Sequence, residues 1–500
     1  MTRVLITTIP AQDVTRPPGI LSILAACCES IDADYAIKDL NLYMYKTVPE
    51  KVVTELLNDF VTNKFRSKDN TEYYRQVAEH YVQEIKLYQP THIAISIFTY
   101  ASILAADYLL KYIKNSQIDH KFKIVLGGLG LSNSVDDITG IQTFGEYCLS
   151  TGLADYCVYG EGDIAFVELL KGNTNYPGIN KTNQEQILNL DLVPIPSYNK
   201  INPNEYFHAG HPEILITGSR GCVRDCSFCD VASYWEKYVF KSGEQLAQEV
   251  FKTWKTTGVQ KFDFSDSLIN GSLKTFRQFN KAIIQLKAEH PEFTPLYEGQ
   301  FICRPKGTLK ELDYQEMALA GAQTLVVGIE SFSESVRTHM RKHFDNAAID
   351  WHFEMCAKYG IKNVLLLLTG YVTETLEDHQ TTLDYLQKYQ VYALSRTIYA
   401  IQIAADGMMV LKGSPIHNDV HEIGLVFENN ETTGSRWTNL SNPTLTKKER
   451  LRRGVEVILT AYSVGFKVLN FDMKLGVAER KYTELLQDQE KPIFKLEPVR

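Results

Sequence analysis

No run of apolar residues in the chain is long enough to span a bilayer. The opening MTRVLITTIP lacks the three-part pattern of a secretory leader and enters a strand-like run at once. The expectation is a cytoplasmic protein with no membrane insertion. Positive charge is also scarce. Lys and Arg number 52 against 60 Asp and Glu, a formal net charge of −8, which argues against a broad phosphate-binding surface and so against a nucleic-acid substrate. Internal repeats and low-complexity tracts are missing, which excludes fibrous and solenoid designs. The twelve histidines show no paired metal spacing and read as hydrogen-bonded structural residues. A disulfide framework is missing too: of nine cysteines, Cys27, Cys28, Cys148, Cys157, Cys303 and Cys356 are scattered and read as small buried hydrophobes, Cys303 alone keeping a functional reading because it falls on a strand.

What is present is a globular composition, 44% hydrophobic and 22% charged, over 500 residues, too many for one ordinary core. Residues 1–170 alternate strand-like runs with amphipathic stretches: VLITTIP (4–10), YAIKDLN (35–41), THIAISIF (91–98), KIVLGGLG (123–130) and YCVYGEGD (156–163). This is the pattern of an open, doubly wound parallel α/β sheet. In such sheets ligands bind where loops leave the carboxyl ends of strands, and the candidate loops here are Pro17–Pro18–Gly19, Thr99–Tyr100, Gly127–Gly128 and Gly160–Glu161–Gly162. An insertion at roughly 46–88 reads as two helices covering a sheet edge. Residues 171–212, rich in Asn and Gln and carrying five prolines, read as a linker crossing the surface. Over 213–415, strands expected near 214–219, 261–266, 296–302, 324–330, 363–370 and 395–404 alternate with helical segments, giving a partial (β/α)6 barrel. Residues 416–500 form a small, mainly helical region. In it Thr446 and Glu449 make a capping box for a helix through Ala461, and the basic run Lys447 to Arg453 solvates the helix start.

The segment Gly221–Cys222–Val223–Arg224–Asp225–Cys226–Ser227–Phe228–Cys229 follows the first barrel strand, at the end of the barrel where active sites lie. Three thiolates at C-x3-C-x2-C spacing can reach three corners of a cubane cluster and leave one iron open to chelate a substrate, with Phe228 beside it to contact a nucleoside. A structural zinc would need a fourth nearby ligand, and the sequence offers none there.

With the motif, its strand position and the segments after it in agreement, the chain resembles the radical S-adenosylmethionine (SAM) superfamily over most of its length. The resemblance implies a [4Fe–4S] cluster held by Cys222, Cys226 and Cys229. Its open iron would bind the amino and carboxylate groups of SAM, and reduction would cleave the C5′–S bond to a 5′-deoxyadenosyl radical. It also implies SAM contacts at Phe228, at Asp266–Ser267 in FDFSDSL, at Arg304, at Glu330 in Gly328–Ile329–Glu330–Ser331, and at Gly370 in Gly370–Tyr371–Val372–Thr373–Glu374–Thr375, where Val372 and Thr373 replace the family's Pro and Gly. Asp266–Ser267 also reads as a strand-end N-cap and Arg304 as a surface ion pair, and a buried Glu330 would need a partner. An electron donor such as flavodoxin or ferredoxin is the implied partner.

The first domain narrows the resemblance. Pro17–Pro18–Gly19, Asp39, Gly127–Gly128, Gly160–Glu161–Gly162 and LDLVPIP (190–196) together are similar to the cobalamin-binding domain that precedes many radical SAM barrels. That likeness implies cobalamin contacts at Pro18, Gly19, Thr99, Tyr100, Gly127, Gly128, Gly160, Glu161 and Gly162, where small residues let backbone approach a flat macrocycle. A generic doubly wound domain is the plainer reading. No Asp-x-His-x-x-Gly segment occurs, so a bound cobalamin would have a lower face free of histidine. The leading expectation is a cobalamin-dependent methyltransferase acting at an unactivated carbon or at phosphorus. Its rivals are a radical cyclase or rearrangement enzyme without methyl transfer, and a non-catalytic cofactor-binding protein. The substrate is left open.

Overall fold

Short β-branched runs bounded by turns form the strands of the first sheet. β1 (Arg3–Thr8), β2 (Asp34–Ile37), β3 (His92–Ser96), β4 (Lys123–Gly127) and β5 (Tyr156–Val158) are all parallel, in the order β2-β1-β3-β4-β5. The order reverses between β1 and β3, so the loops leaving their carboxyl ends diverge and open a crevice. This computed structural model describes residues 1–487 apart from 66, 184, 209, 405–406, 429–430 and 471–473. The chain divides into two compact units, Met1–Ile216 with Gln245–Asp263, and Thr217–Glu244 with Phe264–Arg500.

In the first unit, the 46–88 insertion contains the helices Glu50–Val61 and Lys68–Tyr88. They cover a sheet face rather than an edge: Leu56, Phe60, Tyr74 and Tyr81 share one buried cluster with Leu5, Ile93, Ile95, Ile124 and Leu126. Each helix carries an apolar stripe, and a stripe that wide needs a broad apolar surface to bury it. Residues 171–212 also depart from expectation. They form only the 3-10 turns Leu190–Leu192 and Pro203–Glu205, yet they pack closely along the first unit instead of skirting it. The Tyr206 hydroxyl donates to Asp39 Oδ2 (2.8 Å), the Ser197 N–H to the Ser22 carbonyl (2.9 Å) and the Phe207 N–H to the Val14 carbonyl (2.8 Å). A proline-rich chain cannot pair with itself, so its backbone polar groups are satisfied by the domain it crosses.

The second sheet begins with β6 (Glu213–Ile216). A short antiparallel pair follows, β7 (Ser219–Arg220) with β8 (Val239–Phe240). β9 (Lys261–Phe264), β10 (Leu296–Phe301), β11 (Ala322–Glu330), β12 (Lys362–Leu368) and β13 (Ile398–Ala404) alternate with helices. β14 (Leu425–Phe427) and β15 (Trp437–Asn439) form a hairpin, and β16 (Lys467–Val468) returns to the edge of β13. The sheet order is β16-β13-β12-β11-β10-β9-β6. The six expected strands are therefore joined by a short seventh, within a partial βα barrel.

The region after 416 holds the β14–β15 hairpin as well as helices. Thr446 Oγ1 accepts the Glu449 N–H (3.2 Å) and opens the helix Lys447–Ser463. The basic run at that start is not simply solvated. Arg450 and Arg453 are buried at 0% and 2% exposure, Arg450 over the Trp437 ring (3.6 Å) and Arg453 on Glu374 (3.0 Å). A planar guanidinium tolerates burial when it stacks and pairs, which explains why this face turns inward.

The barrel's loops are joined by Asp378, which accepts Ser333 Oγ (2.6 Å), Ser335 Oγ (2.7 Å) and the Thr375 N–H (2.9 Å). Burial raises its pKa, but these hydrogen bonds outweigh that effect and hold it at about 2. The folded pKa lies below the unfolded value of about 3.9, so the stabilisation is complete above pH 4 and lost as pH falls toward 2. After solvent screening it is worth about 1 kcal/mol. Asp378→Asn should lower the urea midpoint at pH 7, and its gap from the parent protein should close as the pH falls through that window.

Candidate functional site

The cysteine motif lies between β7 and β8. Gly221 has φ +81°, and a Cβ there would sit 2.8 Å from the Lys237 carbonyl, so the turn into the motif admits only glycine without strain. Cys226 is buried, and Cys222 and Cys229 are half-buried. The Cys229 N–H donates to the Cys226 carbonyl (3.1 Å), and three other segments fasten the residue between them: the Ser227 N–H donates to the Met340 carbonyl (3.2 Å), the Ile416 N–H donates to the Ser227 carbonyl (2.8 Å), and Ser227 Oγ meets the Tyr371 hydroxyl (2.8 Å). Tyr371 gives its own proton to the His339 carbonyl (3.1 Å), so Ser227 is the donor to Tyr371.

Burial pushes the Cys226 thiol up to about 11, with Cys229, Glu330 and Cys222 pushing the same way and the Lys342 ammonium opposing. Cys229 is raised as well, by burial first and then by Asp230 and Cys222. Three soft thiol donors on one loop suit an iron–sulfur centre.

The end of β11 faces the motif. The β11–β12 register slips between Gly328 and Glu330, and Glu330 takes the left-handed φ of +66°. This bulge turns its carboxylate toward Lys342, whose Nζ donates to Glu330 Oε1 (2.9 Å) and the Gly328 carbonyl (2.8 Å) and lies 5.7 Å from the Phe228 ring centre. A Cβ on Gly328 would stand 2.7 Å from Glu330 Oε1. Lys342 was not foreseen; the only signal was the partner that a buried Glu330 requires.

The other expected SAM contacts fall out unevenly. Asp266 is buried and accepts the Gly218 N–H (2.8 Å) and the Ser219 hydroxyl, fixing the approach to the motif. Ser267 is exposed and makes no hydrogen bond among the described residues. Arg304 is not a surface ion pair. It donates to the Asn270 and Gly271 carbonyls, its Nε is buried without a partner, and burial followed by the charge of Arg224 lowers its pKa. Gly370, at φ +67°, gives its N–H to Glu374 Oε2 (2.9 Å), and a Cβ there would meet Arg450 Cγ at 2.5 Å, so its backbone is shaped by packing. Cys303 is buried, its thiol raised to about 12 by burial.

In the first unit, Pro18–Gly19, Thr99–Tyr100, Gly127–Gly128 and Gly160–Glu161–Gly162 follow the carboxyl ends of β1, β3, β4 and β5. Gly128 has φ +104°, and a Cβ would lie 2.3 Å from the Ile97 carbonyl, so the β3 and β4 loops run backbone to backbone. Beside them Phe98, Tyr100 and Leu129 are 56%, 45% and 57% exposed, large apolar surfaces left without cover at the end where ligands bind. Glu161 is buried and accepts the Ile187 N–H, which ties it to the 171–212 segment. Of the first unit's histidines, His80, His92 and His120 lie in the helix Lys68–Tyr88, at the start of β3 and ahead of β4, away from these loops, while His208 and His211 follow Phe207, whose N–H donates to the Val14 carbonyl beyond β1.

The sequence pattern of the radical SAM superfamily matches residues 216–386. Over that segment the chain is a radical SAM match. It is 24% identical to the anaerobic magnesium-protoporphyrin IX monomethyl ester cyclase of Synechocystis over 38% of this chain and 40% of the relative. It is also 24% identical to an uncharacterized methyltransferase of Pyrococcus horikoshii (47% of this chain, 53% of the relative) and to the cytidylyl-2-hydroxyethylphosphonate methyltransferase of Streptomyces wedmorensis (40% and 39%). The matches thus span about half or less of these relatives. In fold, the chain is like the radical SAM methyltransferase TsrM of Kitasatospora setae, solved with cobalamin and a [4Fe–4S] cluster (TM-score 0.60, 13% identity, 98% of this chain and 100% of that one). It is also like the cobalamin-dependent SAM radical enzyme OxsB (TM-score 0.63, 14% identity, 97% and 75%). Within the radical SAM segment, Cys222, Cys226, Cys229, Phe228, Glu330 and Lys342 form one neighbourhood.

Proposed function

We propose that the chain is a radical SAM enzyme that holds a [4Fe–4S] cluster through Cys222, Cys226 and Cys229, holds cobalamin on the carboxyl-end loops of its first sheet, and transfers a methyl group to an unactivated carbon or phosphorus. The observation that carries this is the motif loop, which is fastened at Ser227 from three directions and presents the three thiols of Cys222, Cys226 and Cys229. When bound, such a cluster supplies the electron that breaks the C5′–S bond of SAM. Glu330, held by Lys342, presents a carboxylate to the ribose or amino group of SAM, Phe228 offers its ring to the nucleoside, and Arg304 keeps a buried donor for a carboxylate. Gly128 brings backbone close to the β3 loop, and Phe98, Tyr100 and Leu129 offer an apolar face to a flat macrocycle. Pro18, Gly19, Gly127, Gly160 and Gly162 complete the small-residue rim, and the sequence lacks the Asp-x-His-x-x-Gly segment that would bring a histidine to the lower face of cobalt. A low-potential donor such as flavodoxin or ferredoxin is the partner this chemistry needs, and a cytoplasmic setting suits it. No helix among the described residues is long and apolar enough to cross a membrane.

A second reading, radical cyclisation without methyl transfer, is supported by the Synechocystis relative, which is named a cyclase. Product counting separates the two: methyl transfer yields S-adenosylhomocysteine alongside 5′-deoxyadenosine, and cyclisation yields 5′-deoxyadenosine without it. Desalting after incubation with hydroxocobalamin should leave a retained corrinoid absorption spectrum, and the Co(II) form should show no nitrogen splitting in electron paramagnetic resonance. Loss of the corrinoid on desalting would leave the first sheet a generic doubly wound domain, and a nitrogen-split signal would overturn the histidine-free lower face.

A further inference from the structure

We infer that Lys342 is a positioning residue that holds Glu330 in its bent conformation and, through its fixed positive charge, raises the reduction potential of the metal centre at Cys222, Cys226 and Cys229. The inference rests on the reading of those cysteines as cluster ligands. Its basis is geometric. Lys342 and Glu330 are 7% and 12% exposed along their side chains and 2.9 Å apart. Glu330 at φ +66° and Arg341 at φ +59°, the residue just before Lys342, are both left-handed, a conformation that persists for such residues only where the surroundings enforce it. The turn that carries Lys342 is also the one that holds the motif: Met340 accepts the Ser227 N–H at 3.2 Å, and Lys342 Nζ lies 5.7 Å from the Phe228 ring, between Cys226 and Cys229 in the chain.

Neighbouring charges differ in reach. Arg341 pairs with Asp225 (3.3 Å) and Asp419 (3.9 Å) and is 43% exposed, so its field is offset and screened. Lys342 is buried, with its single carboxylate partner on the strand end. Reducing a cluster adds a negative charge, and a nearby buried cation favours that form while a buried carboxylate opposes it. A lysine that served only to neutralise Glu330 would have no effect once that carboxylate is removed, so Glu330→Gln and Glu330→Gln/Lys342→Met would then share one potential.

The experiment is a redox titration of the reconstituted full-length protein without SAM, monitored by electron paramagnetic resonance, after iron content is measured for each variant. Lys342→Met should shift the potential to more negative values, Glu330→Gln to more positive ones, and Lys342→Arg should restore the parent value. If Lys342→Met alone takes up no iron, Glu330→Gln is compared with the Glu330→Gln/Lys342→Met double variant, whose potential should be the more negative because the lysine charge is the one difference. Equal potentials across the iron-loaded variants would overturn the role of Lys342 and leave the cluster reading standing. A parent protein that assembles no cluster would overturn both.

Discussion

Replacing any one of Cys222, Cys226 or Cys229 with alanine should reduce reductive SAM cleavage to background and lower the reconstituted iron content well below the roughly four atoms per chain of one cubane. The loop offers three thiols and no fourth, so each loss leaves two ligands. Because burial raises the thiols of buried Cys226 and half-buried Cys229, a bound metal must displace their protons, and losing one ligand weakens its hold on the rest. Cys27→Ala and Cys356→Ala are the controls. Both thiols are fully buried and pushed upward by burial, and Cys27 Sγ lies 3.3 Å from the Asp163 carbonyl, inside packed cores. These variants should lose some stability and keep SAM cleavage. Cleavage that survived in any of the three motif variants would remove the basis for the proposed function.

Arg453→Met should destabilise the protein by about 3–5 kcal/mol, read from urea denaturation, because it strands a buried carboxylate. Arg453 donates to Glu374 Oε1 (3.0 Å), to the carbonyls of Glu374 and Thr375 (3.0 and 3.1 Å) and to Glu449 Oε1 (2.9 Å). Burial already holds the Glu374 carboxyl above the usual carboxylate range, even with the arginine present to lower it. Without that cation, Glu374 would keep the Gly370 N–H and have His379, 3.9 Å away, as its one remaining basic neighbour among the described residues, so it should take up a proton. Adding Glu374→Gln to Arg453→Met should recover most of the loss. The loss should reach the site as well: Glu374 accepts the Gly370 N–H, the next residue is Tyr371, and Tyr371 holds Ser227 between two motif cysteines. A double variant no more stable than Arg453→Met would show that the arginine acts by packing rather than by pairing.

Most of the scaffold was legible in sequence. The runs VLITT, IAIS and NVLLLL formed strands because β-branched and apolar residues of that length suit a parallel sheet buried on both faces. The motif loop was legible because thiolate spacing is a local property. Three things were not. The Lys342–Glu330 pair depends on a strand slip at Gly328 and a left-handed turn at Arg341, neither of which has a composition signal. Arg450 and Arg453 looked like surface charge because arginine usually is, and only Trp437 and Glu374 brought near by folding give them reason to be buried. The 171–212 segment looked like a free linker because its residues satisfy no internal period, while its anchors, Ser22, Val14 and Asp39, lie far upstream.

The chain leaves the first compact unit after Ile216, re-enters it at Gln245 and leaves again after Asp263. A module joined by one tether can be exchanged between genes at a single breakpoint, and a protease can release it with a single cut. Neither holds for this protein. A crossover at 216 would separate the first 216 residues from the 245–263 stretch that belongs with them, and a nick there would leave the halves joined by no covalent bond but with their packing shared. An exchange of the first unit must therefore carry two separate stretches of chain, 1–216 and 245–263, together.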